Sequence, residues 1–133
     1  MLLGTGFTSS IISFLYPVLK FIMPPEVAEA AVNEVTAGKV TDLSPNSGRI
    51  FKFGNRPGLL IRTETGEWHA VSAVCTHLAC SVQYQPETKQ IWCACHNGFY
   101  DLRGNVTSGH PPRPLEEFIV HVRADEVVIS KKA

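Results

Sequence analysis

Cys75-Thr76-His77-Leu78-Ala79-Cys80 and Cys93-Ala94-Cys95-His96-Asn97-Gly98 are the two stretches on which the reading of this chain turns. Together they hold all four cysteines of the 133 residues. Each sets a histidine within three positions of a cysteine, and each carries one further cysteine. Thiolates and neutral imidazoles are metal ligands. The two boxes therefore predict a site assembled from two loops.

Four cysteines in a short chain permit two disulfides, a metal site, or both. Two plain disulfides leave His77 and His96 without a role. Cys₂His₂ is a zinc set, but zinc sites draw cysteines in pairs and histidines in pairs. Here each box offers one of each kind beside a spare cysteine. The arrangement favours a [2Fe–2S] centre in which two imidazoles replace two thiolates on one iron. A zinc-stapled, non-redox binding module is the alternative.

The composition surrounds these boxes with one compact domain and an appendage. Twelve basic and twelve acidic residues leave no net charge, which excludes the basic excess of a nucleic-acid binder. The stretch from Leu2 to Pro25 has no acidic residue and one charge, Lys20. A bilayer core needs roughly 20 apolar residues as helix, so residues 1–25 are expected to form a transmembrane anchor in contact with lipid. Gly4, Thr5, Gly6, Ser9 and Ser10 temper its hydrophobicity and suit packing against other membrane helices. Tyr16 and Lys20 fit an interfacial end. Pro17 is a candidate kink, and Pro24-Pro25 a stop. A cleaved signal peptide lacks support, because there is no basic n-region and the nearest small-residue pattern is Ala28-Glu29-Ala30. A buried soluble helix is the other reading. Residues 26–37 read as a helical or flexible linker, and 38–133 as the head.

From Gly38 onward the pattern is β. Residues 50–53, 58–62, 68–71, 118–122 and 126–129 are strand candidates. Asn46-Ser47-Gly48, Asn55-Arg56-Pro57-Gly58, Thr65-Gly66 and Arg103-Gly104-Asn105 punctuate them as turns. The expected class is mainly β, an antiparallel sandwich or small barrel carrying an N-terminal transmembrane helix.

The boxes, the following Phe99-Tyr100-Asp101-Leu102 with Gly104, and the later Gly109-His110-Pro111-Pro112-Arg113-Pro114-Leu115 resemble the Rieske iron–sulfur proteins, specifically those of quinol-oxidising cytochrome bc-type complexes. The resemblance covers the head and, more loosely, the anchor through Tyr16-Pro17-Val18 and Pro24-Pro25. It implies that Cys75 and Cys93 hold one iron of a [2Fe–2S] cluster and His77 and His96 the other. It implies a Cys80–Cys95 disulfide clamping the loops, hence an oxidising compartment. It also implies that His77 or His96 meets quinol and takes its proton. Tyr100 is expected to donate its hydroxyl to the Cys75 sulfur. Gly98 stands where high-potential members carry a serine that donates to a bridging sulfide. One donor fewer lowers the potential, so menaquinol is the expected donor.

Ala79 replaces a glycine common in the first box and is expected to stiffen that loop. His110 stands where proline is expected and reads as a surface residue without a redox role. His69 and His121 read as structural or exposed, and Trp68 and Trp92 as core. The implied protein is the electron-transfer subunit of a membrane quinol–cytochrome c oxidoreductase. Its partners would be a cytochrome b and a c-type cytochrome in a dimeric complex, its anchor single-pass in the cytoplasmic membrane and its head periplasmic. The Rieske subunit of a periplasmic molybdenum enzyme such as arsenite oxidase, and a soluble Rieske ferredoxin, are the competing readings.

Overall fold

The structure is a computed structural model that describes residues 2–23 and 32–132. Helix α1 spans Leu2–Ile22 and runs through Pro17. Ser10 donates from its hydroxyl to the Gly6 carbonyl, 3.0 Å away, a bond back to the preceding turn that satisfies the hydroxyl within the helix. Ile11, Ile12, Phe14, Leu15, Val18, Leu19, Phe21 and Ile22 are all exposed. Among the described residues, no helix is long and apolar enough to cross a membrane. Pro24-Pro25 and half of the expected linker, residues 26–31, lie outside the described residues.

Among the described residues ten strands follow: β1 Glu34–Lys39, β2 Ser47–Phe53, β3 Arg56–Arg62, β4 Trp68–Ser72, β5 Val82–Gln85, β6 Gln90–Cys93, β7 Gly98–Tyr100, β8 Val106–Ser108, β9 Glu117–Arg123 and β10 Glu126–Lys131. They form two antiparallel sheets, one ordered β1-β10-β9-β4-β3-β2 and the other β5-β6-β7-β8. Residues 34–37, read from sequence as the end of the linker, are instead part of β1, paired with β10. The Asn55–Gly58 turn is also shifted. The chain reverses at Gly54-Asn55, and Gly58 lies inside β3. Gly58 is required there because a Cβ would lie 2.3 Å from the Phe51 ring.

The core explains the long apolar run of β3. Successive strand side chains point to opposite faces, and both faces of β3 are covered. Leu59 and Ile61 join Val71, Val82, Ile91, Tyr100 and Leu115 in one cluster. Leu60 joins Phe51, Ala70, Phe118, Val127 and Ile129 in another. In the second cluster Phe53 stacks on Phe118 at 4.8 Å. Ile61 and Ile129 are fully buried, so truncating either to alanine costs about 2–5 kcal/mol. Arg62 caps this side. Its guanidinium donates to the carbonyls of Val40 and Leu43 at 3.1 and 2.9 Å and lies over the Trp68 ring.

Candidate metal centre

Three loops meet at one end of the small sheet. The first joins β4 to β5. A bridge between Val74 and Ser81 closes its neck, and inside it the Cys75 N–H donates to the Cys80 carbonyl at 2.7 Å. The Ala79 N–H donates back to the Cys75 carbonyl, and Ala79 takes a left-handed φ of 55°. The second loop joins β6 to β7 and is the turn 94–97 between the paired residues Cys93 and Gly98. Asn97 is also left-handed, and its side-chain oxygen accepts from the Trp92 indole at 2.9 Å. The third loop joins β8 to β9. It is tied to the first by the Thr76 hydroxyl, which donates to the Arg113 carbonyl at 2.6 Å.

Within this frame the four cysteines separate into two pairs. Cys80 and Cys95 form a disulfide that links the first loop to the second. Cys75 and Cys93 are free and buried. The sulfurs of Cys80, Cys93 and Cys95 lie within 4.8 Å of one another, but two of them are spent in the disulfide, which leaves Cys93 as the available thiolate of that trio. His77 and His96 are exposed, with ring centroids 4.7 Å apart and planes at 79°. Two buried thiols thus lie behind two adjacent surface imidazoles, one of each from each loop.

The two thiols differ electrostatically. Burial pushes the Cys75 thiol up, but the Tyr100 hydroxyl, the N–H groups of His77 and Leu78 and the Cys93 thiol outweigh it, and the thiol ends below its ordinary value. Tyr100 contributes from 3.2 Å. Cys93 stays raised, by burial first and by Cys75 next, despite the N–H groups of Cys95 and His96. Each cysteine therefore receives N–H groups from positions two and three residues onward. That is a nest suited to a thiolate sulfur. The donor set, one free thiol and one exposed imidazole from each loop, fits a mixed thiolate–imidazole two-iron group.

The family model of the Rieske [2Fe-2S] domain matches residues 33–119. The chain belongs to that family. Its cofactor is the Rieske-type [2Fe–2S] cluster. Among its relatives is the cytochrome b6-f complex iron-sulfur subunit of Chlorobaculum thiosulfatiphilum, 38% identical over 120 residues that cover 90% of this chain and 66% of the relative. The subunit of the same name from Chlorobaculum tepidum is 35% identical, with 90% of this chain and 65% of the relative covered. The chain thus spans just under two thirds of the length of these relatives. Among solved structures, a chain of a hyperthermophilic respiratory Complex III matches with a TM-score of 0.57 and 26% identity, covering 96% of this chain and 98% of that one. A cyanobacterial plasma membrane Rieske protein from Synechocystis matches with a TM-score of 0.66 over 74% of this chain and 99% of that one. Its 24% identity speaks to the fold alone.

The structure brings the cysteines and histidines of the two boxes to one end of the small sheet, and their surroundings differ in part from the sequence reading. Trp92, read as core, is only half-buried and braces the second loop through Asn97. Its neighbours on β6, Ile91 and Cys93, take the inward places. His110, read as a surface residue without a redox role, is exposed and stacks beside His77 with centroids 6.3 Å apart. His69 is half-buried and His121 exposed. The tie from Thr76 to Arg113 escaped the sequence reading because a hydroxyl-to-carbonyl contact between distant loops leaves no spacing pattern. The Gly109 and Pro111 positions carried a signal, the Gly-x-Pro-Pro run, without revealing what it packs against.

Proposed function

We propose that this chain is the electron-transfer Rieske subunit of a membrane quinol-oxidising complex of the cytochrome bc and b6-f type. The observation that carries the reading is the pair of adjacent, exposed imidazoles in front of two buried free thiols, locked by a disulfide. In this reading Cys75 and Cys93 hold one iron and His77 and His96 the other. The cluster, when bound, supplies a one-electron acceptor whose potential is raised by imidazole ligation.

The chain's own residues do the rest. A metal-bound imidazole carries its proton on the outward nitrogen, so His77 or His96 would accept a hydrogen bond from the quinol hydroxyl, and take its proton as the electron leaves, only after giving up its own, a loss that a bound cation favours. Buried Cys75, Cys93 and Tyr100 keep water from the sulfur side. The Cys80–Cys95 bond holds the two imidazoles at one surface through the redox cycle. The electron then passes to a c-type cytochrome, and a cytochrome b completes the quinol pocket. The names of the relatives and of the Complex III chain support these partners.

The exposed apolar side chains of α1 support an anchoring role for residues 1–25, with the linker before β1 joining it to a head on the periplasmic side. Its serines and Lys20 weaken it as a lone span, which suits a helix packed among others in a complex. The absence of a side chain at Gly98 supports a low-potential centre matched to menaquinol. Likeness to a carbazole dioxygenase ferredoxin, at 21% identity, is a likeness of fold. The extra disulfide and α1 favour the membrane complex over a soluble carrier.

An EPR-monitored redox titration of the purified full chain, repeated across pH, tests the reading. A rhombic Rieske signal is expected, with a midpoint in the lower part of the roughly −150 to +300 mV range that falls as pH rises above neutrality. A midpoint at the top of that range would remove the menaquinol assignment. A fully metallated sample that gives no such signal would remove the cluster.

A further inference from the structure

We infer that Pro111 is the residue that keeps position 98 free of a side chain, so that the third loop and not Gly98 alone determines which groups face the Cys93 side of the centre. The inference rests on the cluster reading above. Gly98 is buried and lies directly opposite Cys93 in the ladder between β6 and β7. Paired residues in an antiparallel ladder project side chains to the same face. A Cβ on Gly98 would lie 3.9 Å from the Cys93 Cβ, alongside the thiol. That space is already taken. The same Cβ would meet Pro111 Cγ at 2.8 Å and Cδ at 3.1 Å, and Pro111 is itself buried.

Pro111 has little freedom to move aside. A pyrrolidine ring flexes only between its two puckers, and its φ is fixed. The chain on its N-terminal side is pressed against the second loop. A Cβ on Gly109, which has a φ of +94°, would lie 2.7 Å from Gly98 Cα and 2.9 Å from the Asn97 carbonyl. On the C-terminal side the Thr76 hydroxyl holds the Arg113 carbonyl. The third loop is therefore pinned at both ends with its rigid ring seated on Gly98. The ring puts an apolar cap where a residue at position 98 would otherwise place a polar group beside Cys93. Pro111 is a positioning residue: it touches no reacting atom and acts through the space it fills.

The test is a double-mutant cycle in the full chain with Gly98→Ala, Gly98→Ser and Pro111→Ala, singly and combined. Three quantities are read: the thermal midpoint of unfolding, the iron and acid-labile sulfide content, and the EPR-monitored redox midpoint. Gly98→Ala in the native background is expected to lower Tm and iron content. In the Pro111→Ala background the same change is expected to cost much less. The combined Gly98→Ser and Pro111→Ala chain is expected to bind as much iron as Pro111→Ala alone and to show a higher redox midpoint, because a hydroxyl now reaches the centre. Equal losses of Tm from Gly98→Ala in both backgrounds would overturn the steric claim. A double variant with full iron but the midpoint of Pro111→Ala would overturn the tuning claim. The Tm cycle needs no cluster. A native chain that takes up no iron would thus remove the proposed function while leaving the Gly98–Pro111 exclusion to be decided by Tm.

Discussion

The Tyr100 hydroxyl lies 3.2 Å from the Cys75 sulfur and 3.4 Å from the Thr76 N–H. It is the side-chain hydroxyl that reaches a free thiol among the described residues, and its ring is fully buried in the core between the sheets. A donor on a ligating sulfur stabilises the more negative, reduced form of a cluster. Tyr100→Phe keeps the ring and deletes the donor. Iron content should be retained, the redox midpoint should fall, and stability should drop by about 1 kcal/mol for the lost hydrogen bond. Redox titration and chemical unfolding of the same preparation check both. An unchanged midpoint at full iron occupancy would show that the hydroxyl serves the fold and not the centre.

The Cys80–Cys95 bond closes a loop with a sequence separation of 15. A crosslink of that span restricts the unfolded chain by about 3 kcal/mol in the chain-entropy model. The same bond joins the two histidine-bearing loops. Reduction, or the paired change Cys80→Ala with Cys95→Ala, should lower unfolding stability by about 2–4 kcal/mol and accelerate loss of iron to a chelator. Unfolding curves with and without reductant measure the first effect, and the decay of the visible cluster absorbance the second. Equal chelator rates in both forms would mean that Thr76 and the third loop suffice to hold the site.

Much of this was legible in the sequence, for reasons that differ by element. Strands β2, β3, β4, β9 and β10 announced themselves through β-branched and aromatic runs; β3, β4 and β10 bury apolar side chains on both faces, whereas Ile50 of β2 and Ile119 and Val122 of β9 stay exposed. Strands β5 to β8 are only three or four residues long. Their inward positions include Cys93, Gly98 and Tyr100 in place of aliphatic residues, so the period of two that marks a strand is lost to the site they build. β1 was masked by Gly38 at a register shift. The ligand types were visible because cysteine and histidine are rare and closely spaced. The packing of Pro111 on Gly98 was not, since a steric fit between two loops has no period and no composition.

Asp101 supplies the pH-dependent element outside the centre. Its carboxylate accepts from the N–H groups of Arg103 and Asn105 at 2.9 and 2.8 Å and from the Asn105 side chain at 2.8 Å. Burial pushes this carboxyl up, but those bonds and the Arg103 charge hold it below its ordinary value of 3.8. The ionised form is thus favoured in the folded state. Its contribution is fully present above the unfolded value and is lost as pH falls from there through the lower folded value. Asp101→Asn should cost about 1 kcal/mol at neutral pH, the low end for bonds to a charged group because the turn faces solvent. The gap from the native chain should narrow as pH falls below about 4. A gap that stays constant down to the acid transition would assign the effect to shape and not to charge.

Ala79 sits between His77 and the disulfide with φ at +55°, a conformation that costs an L-residue about 1–2 kcal/mol. The loop enforces it twice, through the Ala79 N–H bond to the Cys75 carbonyl and through Cys80, whose carbonyl accepts from Cys75 while its sulfur is tied to Cys95. Glycine adopts the left-handed region without that penalty, at about 0.5–1 kcal/mol for the freer unfolded chain. Ala79→Gly should therefore stabilise the oxidised protein by roughly 0.5–1 kcal/mol, a rise in Tm of a few degrees for a domain of this size. In the reduced protein the unfolded chain is freer beside the same loop, which can only enlarge the entropy cost of glycine, so the gain should be no larger. Thermal unfolding of both redox forms of the disulfide decides it. A loss of stability in the oxidised form would mean that the Ala79 methyl makes a contact worth more than the strain it imposes.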